Sequence, residues 1–200
     1  TVDVALSGTS TITTGGDNAP AIFALSVGGG GGTSGGNDGV VALGGQGGQG
    51  GDGGTVTLTS GGDTTVATTG QYAVGVMVSS IGDGGGKSTS PGAAWALGAN
   101  GGDGGDGGDV TVDFASGTLA VTTHGDLADG ILISSVGGGG GHGGSSLEAI
   151  ALLQPALGTS GGSGGHGGDI TVTTEGTGKI DVETHGYKAN GFVAQSIGGG

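Results

Sequence analysis

Residues 55–108 read TVTLTSGGDTTVATTGQYAVGVMVSSIGDGGGKSTSPGAAWALGANGGDGGDGG. This stretch contains two short strand-like pieces, an apolar run, a glycine loop, a second apolar piece and a series of glycine triplets. The same order of pieces recurs along the chain, with the fourth occurrence stopping after the apolar run. Because a period above about 20 residues determines the architecture of a protein, we read the chain as a repeat array.

Single columns of residues keep the register of the repeat. Equivalent positions are spaced by 54, 54 and 60 residues, and a six-residue insertion in the third unit accounts for the last value, as in the column Val2, Val56, Val110 and Ile170. Since no start Met, signal peptide or capping repeat is recognisable, we expect a piece of a longer array. The sequence predicts one continuous array with units at residues 1–54, 55–108 and 109–168 and a partial unit at 169–200.

Composition narrows the class of protein. Glycine accounts for 59 of 200 residues and the formal net charge is −14, with only three basic residues, Lys87, Lys179 and Lys188. Nucleic-acid binding is therefore not expected, because phosphate contacts need Lys and Arg. The hydrophobic fraction of 32%, concentrated in clusters of β-branched residues, predicts ordered β-structure between the glycine tracts.

Each unit begins with two short strands of alternating pattern. Val56 and Leu58 point to one side and the intervening threonines to the other, which is typical of half-buried strands. The second strand of each unit ends at a glycine that we expect to have positive φ, namely Gly16, Gly70, Gly125 and Gly186.

The third element of each unit is a nearly continuous apolar run, as in GVMVSSIG at residues 75–82. Such runs indicate burial on both faces. One face would line the interior of a solenoid, and we expect the glycine triplets of the same unit to cover the other.

The glycine triplets keep a three-residue step, as in GGDGGDGG at residues 101–108. A polyproline II helix has three residues per turn, so glycines would pack inward while every third residue faces solvent. The alternative is a flexible glycine linker, although a linker has no reason to keep strict triplets.

One stretch departs from this pattern. Residues 145–158 read SSLEAIALLQPALG, with Ser145 and Glu148 at the spacing of a helix capping box. The sequence leaves open one or two helical turns or a short strand there.

The aspartates offer a candidate metal site. GGDGGDVTV at residues 104–112 and GGHGGDITV at 164–172 fit the first six places of the calcium-binding nonapeptide GGxGxDxUx but lack its large apolar residue. Carboxylate oxygens suit calcium, and the alternative is a set of exposed acids at turns. The calcium candidates are Asp103, Asp106, Asp109 and Asp169.

Other chemistry has less support from the residues. His124 and His185 occupy equivalent positions and could form a surface ladder, but no third metal ligand is evident, so solvated histidines are expected. A polysaccharide-active β-helix enzyme would need an acid cluster beside a base or cation, and the chain has no Arg and three scattered Lys. We expect no catalytic residues, no cofactor other than possible calcium, and no enzyme activity.

The repeats resemble a known family. GGDGGDVTV at residues 104–112, THGDLADGI at 123–131, THGYKANGF at 184–192 and AQSIGGG at 194–200 are similar to the glycine-rich passenger repeats of large bacterial autotransporters of the type V secretion class. The resemblance implies a passenger secreted across the outer membrane, displayed at the bacterial cell surface and held there by an anchor outside these residues. It also implies a parallel β-solenoid used for adhesion, aggregation or biofilm formation.

These observations predict an all-β fold, a parallel β-helix of about 54-residue repeats with polyproline II-like glycine segments packed outside. The expected function is an extracellular structural or adhesive rod that self-associates laterally or meets a cell-surface or matrix ligand. A calcium-dependent folding module is the alternative, and a polysaccharide-active enzyme the third hypothesis.

Overall fold

The computed structural model describes residues 1–36, 39–89, 92–145, 147–148 and 159–200. These residues form 15 β-strands and no helix. Accordingly, the described residues contain no helix long and apolar enough to cross a membrane. We refer to residues 1–54, 55–108, 109–168 and 169–200 as coils 1 to 4.

The strands lie in four sheets, each of which takes one strand from successive coils. Sheet A contains β1 (Val2–Leu6), β5 (Val56–Ser60), β9 (Val110–Phe114) and β13 (Ile170–Thr174). Sheet B contains β2 (Ser10–Thr14), β6 (Thr64–Thr68), β10 (Thr118–Thr123) and β14 (Lys179–Thr184). Sheet C contains β3 (Ile22–Val27), β7 (Val76–Ile81), β11 (Ile131–Val136) and β15 (Phe192–Ile197). Sheet D contains β4 (Gly39–Leu43), β8 (Gly92–Leu97) and β12 (Leu147–Glu148).

All strand pairs are parallel, and equivalent residues of successive coils are partners. In sheet A, Val56 pairs with Val2 on one side and with Val110 on the other, and Val110 pairs with Ile170. The predicted all-β class with parallel sheets is confirmed, and the arrangement is solenoid-like because each strand contacts its equivalent in the neighbouring coils.

The apolar core lies between sheets A, B and C. Val56 and Leu58 of β5 are fully buried, as the alternating pattern predicts, and Val66 of β6 and Val76 and Val78 of β7 meet them from the other two sheets. In coil 3 the same columns hold Val110, Val112, Val121, Ile131 and Ile133, and the core also contains Phe114 and Leu119, whose partners in coil 2 are Ser60 and Thr64. Because strand side chains alternate between faces, each sheet contributes every second residue to this core.

The turn between sheets B and C corrects one prediction. Positive φ does not fall on the glycine that ends the second strand but two residues later, where coil 2 has Tyr72 with φ of 56°. The equivalent residues are Asn18, Leu127 and Lys188. Gly70 is required for a different reason: a Cβ on it would collide with the backbone of Gly16 in the preceding coil. Gly125 and Gly186 would collide in the same way with Gly70 and Gly125.

Each coil has two glycine tracts: the first leads away from sheet C, and the second returns to it. The first tract follows sheet C (residues 28–32, 82–86, 137–141 and 198–200), and the second follows sheet D (44–54, 98–108 and 159–168). The tracts are antiparallel, since Gly48 N donates to Gly32 O at 2.8 Å and Gly51 N to Gly29 O at 2.6 Å. Sheet D lies where the chain passes from one tract to the other.

Hydrogen bonds run through the tracts from coil to coil. Gly102 N donates to Gly86 O at 2.9 Å, and Gly86 N donates to Gly48 O at 2.7 Å. Together with the bonds from Gly48 to Gly32, from Gly141 to Gly102 and from Gly162 to Gly141, they form one zigzag through coils 1 to 3. Within each tract, bonds to the next coil recur every third residue, from Gly47, Gly50 and Gly53 to Asn100, Asp103 and Asp106.

This hydrogen bonding leaves no room for side chains at the glycine positions. A Cβ on Gly102 would overlap Gly48 O, and one on Gly105 would overlap Gly51 O. The third residue of each triplet points outward instead, and Asp103 and Asp106 are exposed. The glycines are therefore selected by the close approach of one backbone to another.

A ladder of serines joins the second tract to sheet C. Gly108 N donates to Ser80 Oγ at 2.9 Å, and Ser80 Oγ donates to Gly54 O at 2.9 Å. The ladder continues in both directions through Ser26, Ser135 and Ser196. Ser80 and Ser135 are fully buried, so these hydroxyls replace apolar contacts at the corner where one coil leads into the next.

The apolar runs of sheet C are not buried on both faces as the sequence predicts. On the outer face of the inner strands β7 and β11, Met77, Ile81, Leu132 and Val136 are only half-buried. On this outer face, the buried residues are Ser79 of β7 and Ser134 of β11. Their hydroxyl oxygens lie 2.8 Å apart. The glycine tracts leave the outer face partly uncovered because their hydrogen bonds are made with each other.

Of the stretch at 145–158, Leu147–Glu148 form strand β12. The other residues predicted as a helical turn or strand, 146 and 149–158, lie outside the described residues.

Substituting Gly102 by Ala tests the close approach of the tracts. The added methyl group would overlap Gly48 O, so we expect a loss of about 1–3 kcal/mol in the free energy of unfolding, measured by denaturant titration. Gly84→Ala is the matched control, because its Cβ would lie 3.5 Å from Gly139 O, an ordinary contact. We expect that variant to stay within about 1 kcal/mol of the parent. Equal losses in both variants would contradict this account.

Candidate functional site

The predicted calcium ligands lie along the outer edge of the second glycine tract, where they bridge successive coils. Asp103 Oδ1 accepts a hydrogen bond from Ser163 N at 2.8 Å, and Asp106 Oδ1 accepts one from His166 N at 2.7 Å. Asp109 Oδ1 accepts from Asp169 N at 3.0 Å. We call these contacts aspartate bridges.

The aspartate bridges accept hydrogen bonds from backbone N–H groups that have no partner within the glycine tracts. In each triplet, one glycine N–H bonds to the next coil and the other to the opposite tract, as for Gly50 and Gly51. The N–H of the third residue points outward, where no tract lies. A carboxylate from the preceding coil takes that place, as when Asp52 Oδ1 accepts from Asp106 N at 2.8 Å. Hydrogen bonds to a charged acceptor are stronger than neutral ones.

Similar bridges occur at the turns, where the sequence analysis did not anticipate them. Asp17 accepts from Gln71 N and Asp63 from Thr118 N, each at 2.9 Å. Asp126 and Asp129 accept from Tyr187 N and Asn190 N at 2.9 and 2.7 Å. The sequence signal that could have found them is an Asp in the same column as the residue whose N–H it bonds, one repeat earlier.

The structure does not gather the four candidate aspartates into a metal cluster. Within the described ranges, no group of three or more His, Cys, Asp or Glu side chains is arranged to hold a metal ion. One oxygen of Asp103, of Asp106 and of Asp109 is already engaged with an N–H group. Calcium binding stays a prediction, and the observed arrangement gives these carboxylates a structural role.

His124 and His185 are exposed and also form the surface ladder that their equivalent positions allow. The rings of His124 and His185 stack with centroids 4.7 Å apart and an interplanar angle of 16°. His185 Nε2 lies 3.1 Å from Glu183 Oε1, and all three side chains are substantially exposed. The stack extends the alignment of coils 3 and 4 onto the surface.

An open cleft lies between coils 1 and 2 beside the turn from sheet B to sheet C. It has a volume of about 350 Å³ and is lined by Asn18, Pro20, Phe23, Tyr72, Val74 and Met77. Tyr72 is 52% exposed and has a left-handed backbone conformation. This cleft is not expected from the sequence, because the glycine triplets are predicted to cover the outer face of sheet C.

Comparison with known proteins provides no relative: no family model, curated protein or solved structure matches the chain. The resemblance to autotransporter passenger repeats therefore stays a proposal. Function has to be argued from the architecture and the surface alone.

Replacing Asp106 tests the aspartate bridges. Asp106→Ala removes the acceptor for His166 N, and we expect a loss of about 0.5–1.5 kcal/mol in the free energy of unfolding. Asp106→Asn keeps Oδ1 as an acceptor and should lose less. Amide hydrogen exchange at His166 should be faster in the Ala variant than in the Asn variant. An unchanged exchange rate in both would show that the bridge does not protect this amide.

Proposed function

We propose that this chain is a stiff, extracellular structural segment, a glycine-rich parallel β-helix built from 54-residue units. As a surface rod or filament it would hold adhesive regions away from the cell in adhesion, aggregation or biofilm formation. The resemblance to autotransporter passenger repeats supports the extracellular bacterial setting, and the acidic surface is compatible with it.

The observation that carries the proposal is the uninterrupted register from coil to coil. Sheets A, B and C each pair equivalent residues across all four coils. The zigzag of glycine hydrogen bonds and the serine ladder run in the same direction. Since each coil contacts only its neighbours, stability and length grow with the number of coils.

The glycine tracts support stiffness over the alternative of flexible linkers. A bend between two coils would have to stretch hydrogen bonds in three sheets and in both tracts at once. The three-residue recurrence of the tract bonds matches the period of a polyproline II helix. In this proposal the tracts form a second, hydrogen-bonded layer beside the β-helix.

The calcium-dependent module remains a second candidate because carboxylates recur on successive coils. Asp52 and Asp106 occupy one column, and Asp109 and Asp169 another. Calcium between two such carboxylates would relieve their repulsion and could stabilise the folded state. The two candidates differ in whether folding depends on the ion.

Thermal unfolding with calcium and with chelator separates the two. We expect a β-type circular dichroism spectrum and a single melt whose midpoint is the same with millimolar calcium and with excess chelator. A ligand that binds only the folded state raises stability with the logarithm of its concentration over its dissociation constant. A coil spectrum that becomes β-type only with calcium would overturn the self-sufficient rod.

The length of the particle tests the rod itself. Inserting extra copies of residues 55–108 after residue 108 should lengthen the particle by about 4.8 Å per copy at constant cross-section, as measured by small-angle X-ray scattering. The matched control is a Gly-Ser insertion of the same number of residues, which should add a flexible segment. If the two insertions give the same scattering profile, the rod proposal fails.

A further inference from the structure

The first glycine tract of each coil has an outer edge that faces away from the second tract. A polyproline II helix points its successive residues in three directions. In the first tract, one direction leads to the next coil, as for Gly85 N and Gly139 O, and another leads to the second tract, as for Gly86 N and Gly48 O. The residues of the third direction form a column that we call the glycine edge: Gly30, Gly84, Gly139 and Gly200.

Packing within the chain does not require glycine on this edge. A Cβ on Gly30 or Gly84 would lie 3.5 Å from its nearest neighbour, one on Gly139 would lie 3.3 Å away, and one on Gly200 would meet nothing within 4 Å. The positive-φ glycines lie elsewhere. Glycine nevertheless occupies the edge in four successive coils. This pattern indicates that another backbone approaches the edge closely from outside the chain.

The glycine edge also leaves backbone groups without protein partners. Among the described residues, Gly30 N and Gly139 N find no acceptor, and Gly85 O finds no donor. On the outer edge of the second tract, by contrast, aspartate bridges such as that from Asp106 N to Asp52 Oδ1 occupy the N–H groups. A row of free N–H and C=O groups is a template for pairing with another chain, as at the edge of a β-sheet.

The surroundings of the glycine edge are neutral in a chain of net charge −14. Residues 28–33, 82–87 and 137–142 contain one acid, Asp83, and one base, Lys87. The carboxylate of Asp83 lies at the edge, where Oδ1 accepts a hydrogen bond from Gly84 N at 2.7 Å and Oδ2 lies beside Gly30. Lys87 is exposed and forms no ion pair with any described residue. The second tract contains three aspartates and no lysine, so two second tracts would repel each other.

We propose that the glycine edge is a lateral docking surface for the same edge of a second copy of this chain, with the two rods parallel. The edge offers both free N–H and free C=O groups, so two edges can bond to each other as the two tracts of one chain do. A second copy also has the same coil spacing, about 4.8 Å, so each coil meets a coil. The inference deepens the proposed rod function, on which it rests, by naming the partner of the rod.

The charged pair selects parallel rods. A two-fold axis that runs along the rods beside the column of Gly85 keeps coil opposite coil and reverses the tract direction. Lys87 then lies opposite Asp83 of the second copy, because both residues are two positions from Gly85. The facing tracts are antiparallel, as are the two tracts within the chain. An axis across the rods would place every column opposite itself, so that Lys87 and Asp83 would not meet whichever coils were opposed.

The contact is narrow. Each coil adds about 4.8 Å of an edge only a few residues wide, so the described coils bury much less area than a stable dimer interface. One such contact is therefore weak and reversible. In a longer array the contacts add along the rod, and avidity rises with the number of coils.

Carbodiimide coupling tests the contact on the unmodified chain. The reagent condenses a lysine amine with a carboxylate that touches it, with loss of water, and the chain has only three lysines. A mixture of isotopically labelled and unlabelled chains separates coupling between chains from coupling within one. We expect an interchain amide between Lys87 and Asp83 as the main product by mass spectrometry, with a yield that rises with protein concentration.

A pair of alanine variants tests the role of the glycine edge. Gly84→Ala adds a methyl group at the docking surface, where the chain itself has room for it, and should reduce the interchain Lys87–Asp83 coupling several-fold. Gly61→Ala is the matched control, because Gly61 is exposed and its Cβ would meet nothing within 4 Å, but it lies in the turn between sheets A and B. Its coupling should equal that of the parent chain. Equal coupling in the two variants would overturn the backbone contact.

The products also decide the orientation and the occupant. Interchain coupling of Lys87 mainly to carboxylates other than Asp83 would overturn the parallel pairing. An absence of interchain coupling at every concentration would overturn the docking of a second copy. If a synthetic peptide of Gly-Gly-Gln triplets then slowed amide exchange at Gly30 and Gly139, the edge would belong to a different chain.

The rod is tested separately by the scattering of the chain with inserted coils. A rod that lengthens as expected but does not couple leaves the proposed function in place without lateral pairing. A chain that couples through Lys87 and Asp83 but does not lengthen keeps the docking surface and loses the rod.

Discussion

The close approach of one glycine backbone to another is the constraint on which the rest of this fold depends. A glycine tract has no side chains to bury, so its polar backbone groups must find partners in other tracts. Gly48, Gly86 and Gly102 show how this is achieved, since each donates to the opposite tract across a gap that a Cβ would fill. The conformational entropy that glycine loses on ordering is offset by hydrogen bonds made in several directions at once. Isolated tracts would have no such partners.

The same constraint explains the acidic composition. A tract at the surface of the lattice lacks a neighbour on its outer side, and one N–H of each triplet would face water. Asp52 and Asp106 provide the missing acceptor from the side of the preceding coil. Aspartate is suited to this place because its short side chain reaches the next coil from an outward position. Each bridge adds one carboxylate to the surface, and the bridges contribute to the net charge of −14.

Sequence reasoning reached the fold class through periodicity. The alternation of Val56, Thr57 and Leu58 placed their side chains correctly because a strand allows only two directions. Periodicity does not predict the turn correctly, because a glycine can be required either by positive φ or by close contact with another backbone. The glycine at the end of the second strand predicts a positive-φ turn, yet Gly70 is required by contact with Gly16, while Tyr72 adopts the left-handed conformation. The outer face of sheet C is predicted wrongly for a related reason, since an apolar run does not reveal whether its second face meets the same chain or lies open to solvent.

The six extra residues of coil 3 show which part of the coil can vary. Ser88 N donates to His142 O, 54 positions ahead, whereas Gly101 N donates to Ser160 O, 59 positions ahead. In coil 1 the corresponding bonds, from Ser34 to Lys87 and from Gly47 to Asn100, both span 53 positions. Five of the six extra residues therefore fall between 142 and 160, and one falls between β9 and β10, where the register offset changes from 54 to 55. Sheets A, B and C keep their pairing into coil 4, because the tracts separate the variable end from the core. A solenoid-like array built in this way can change in length at this part of the coil without losing the register between coils.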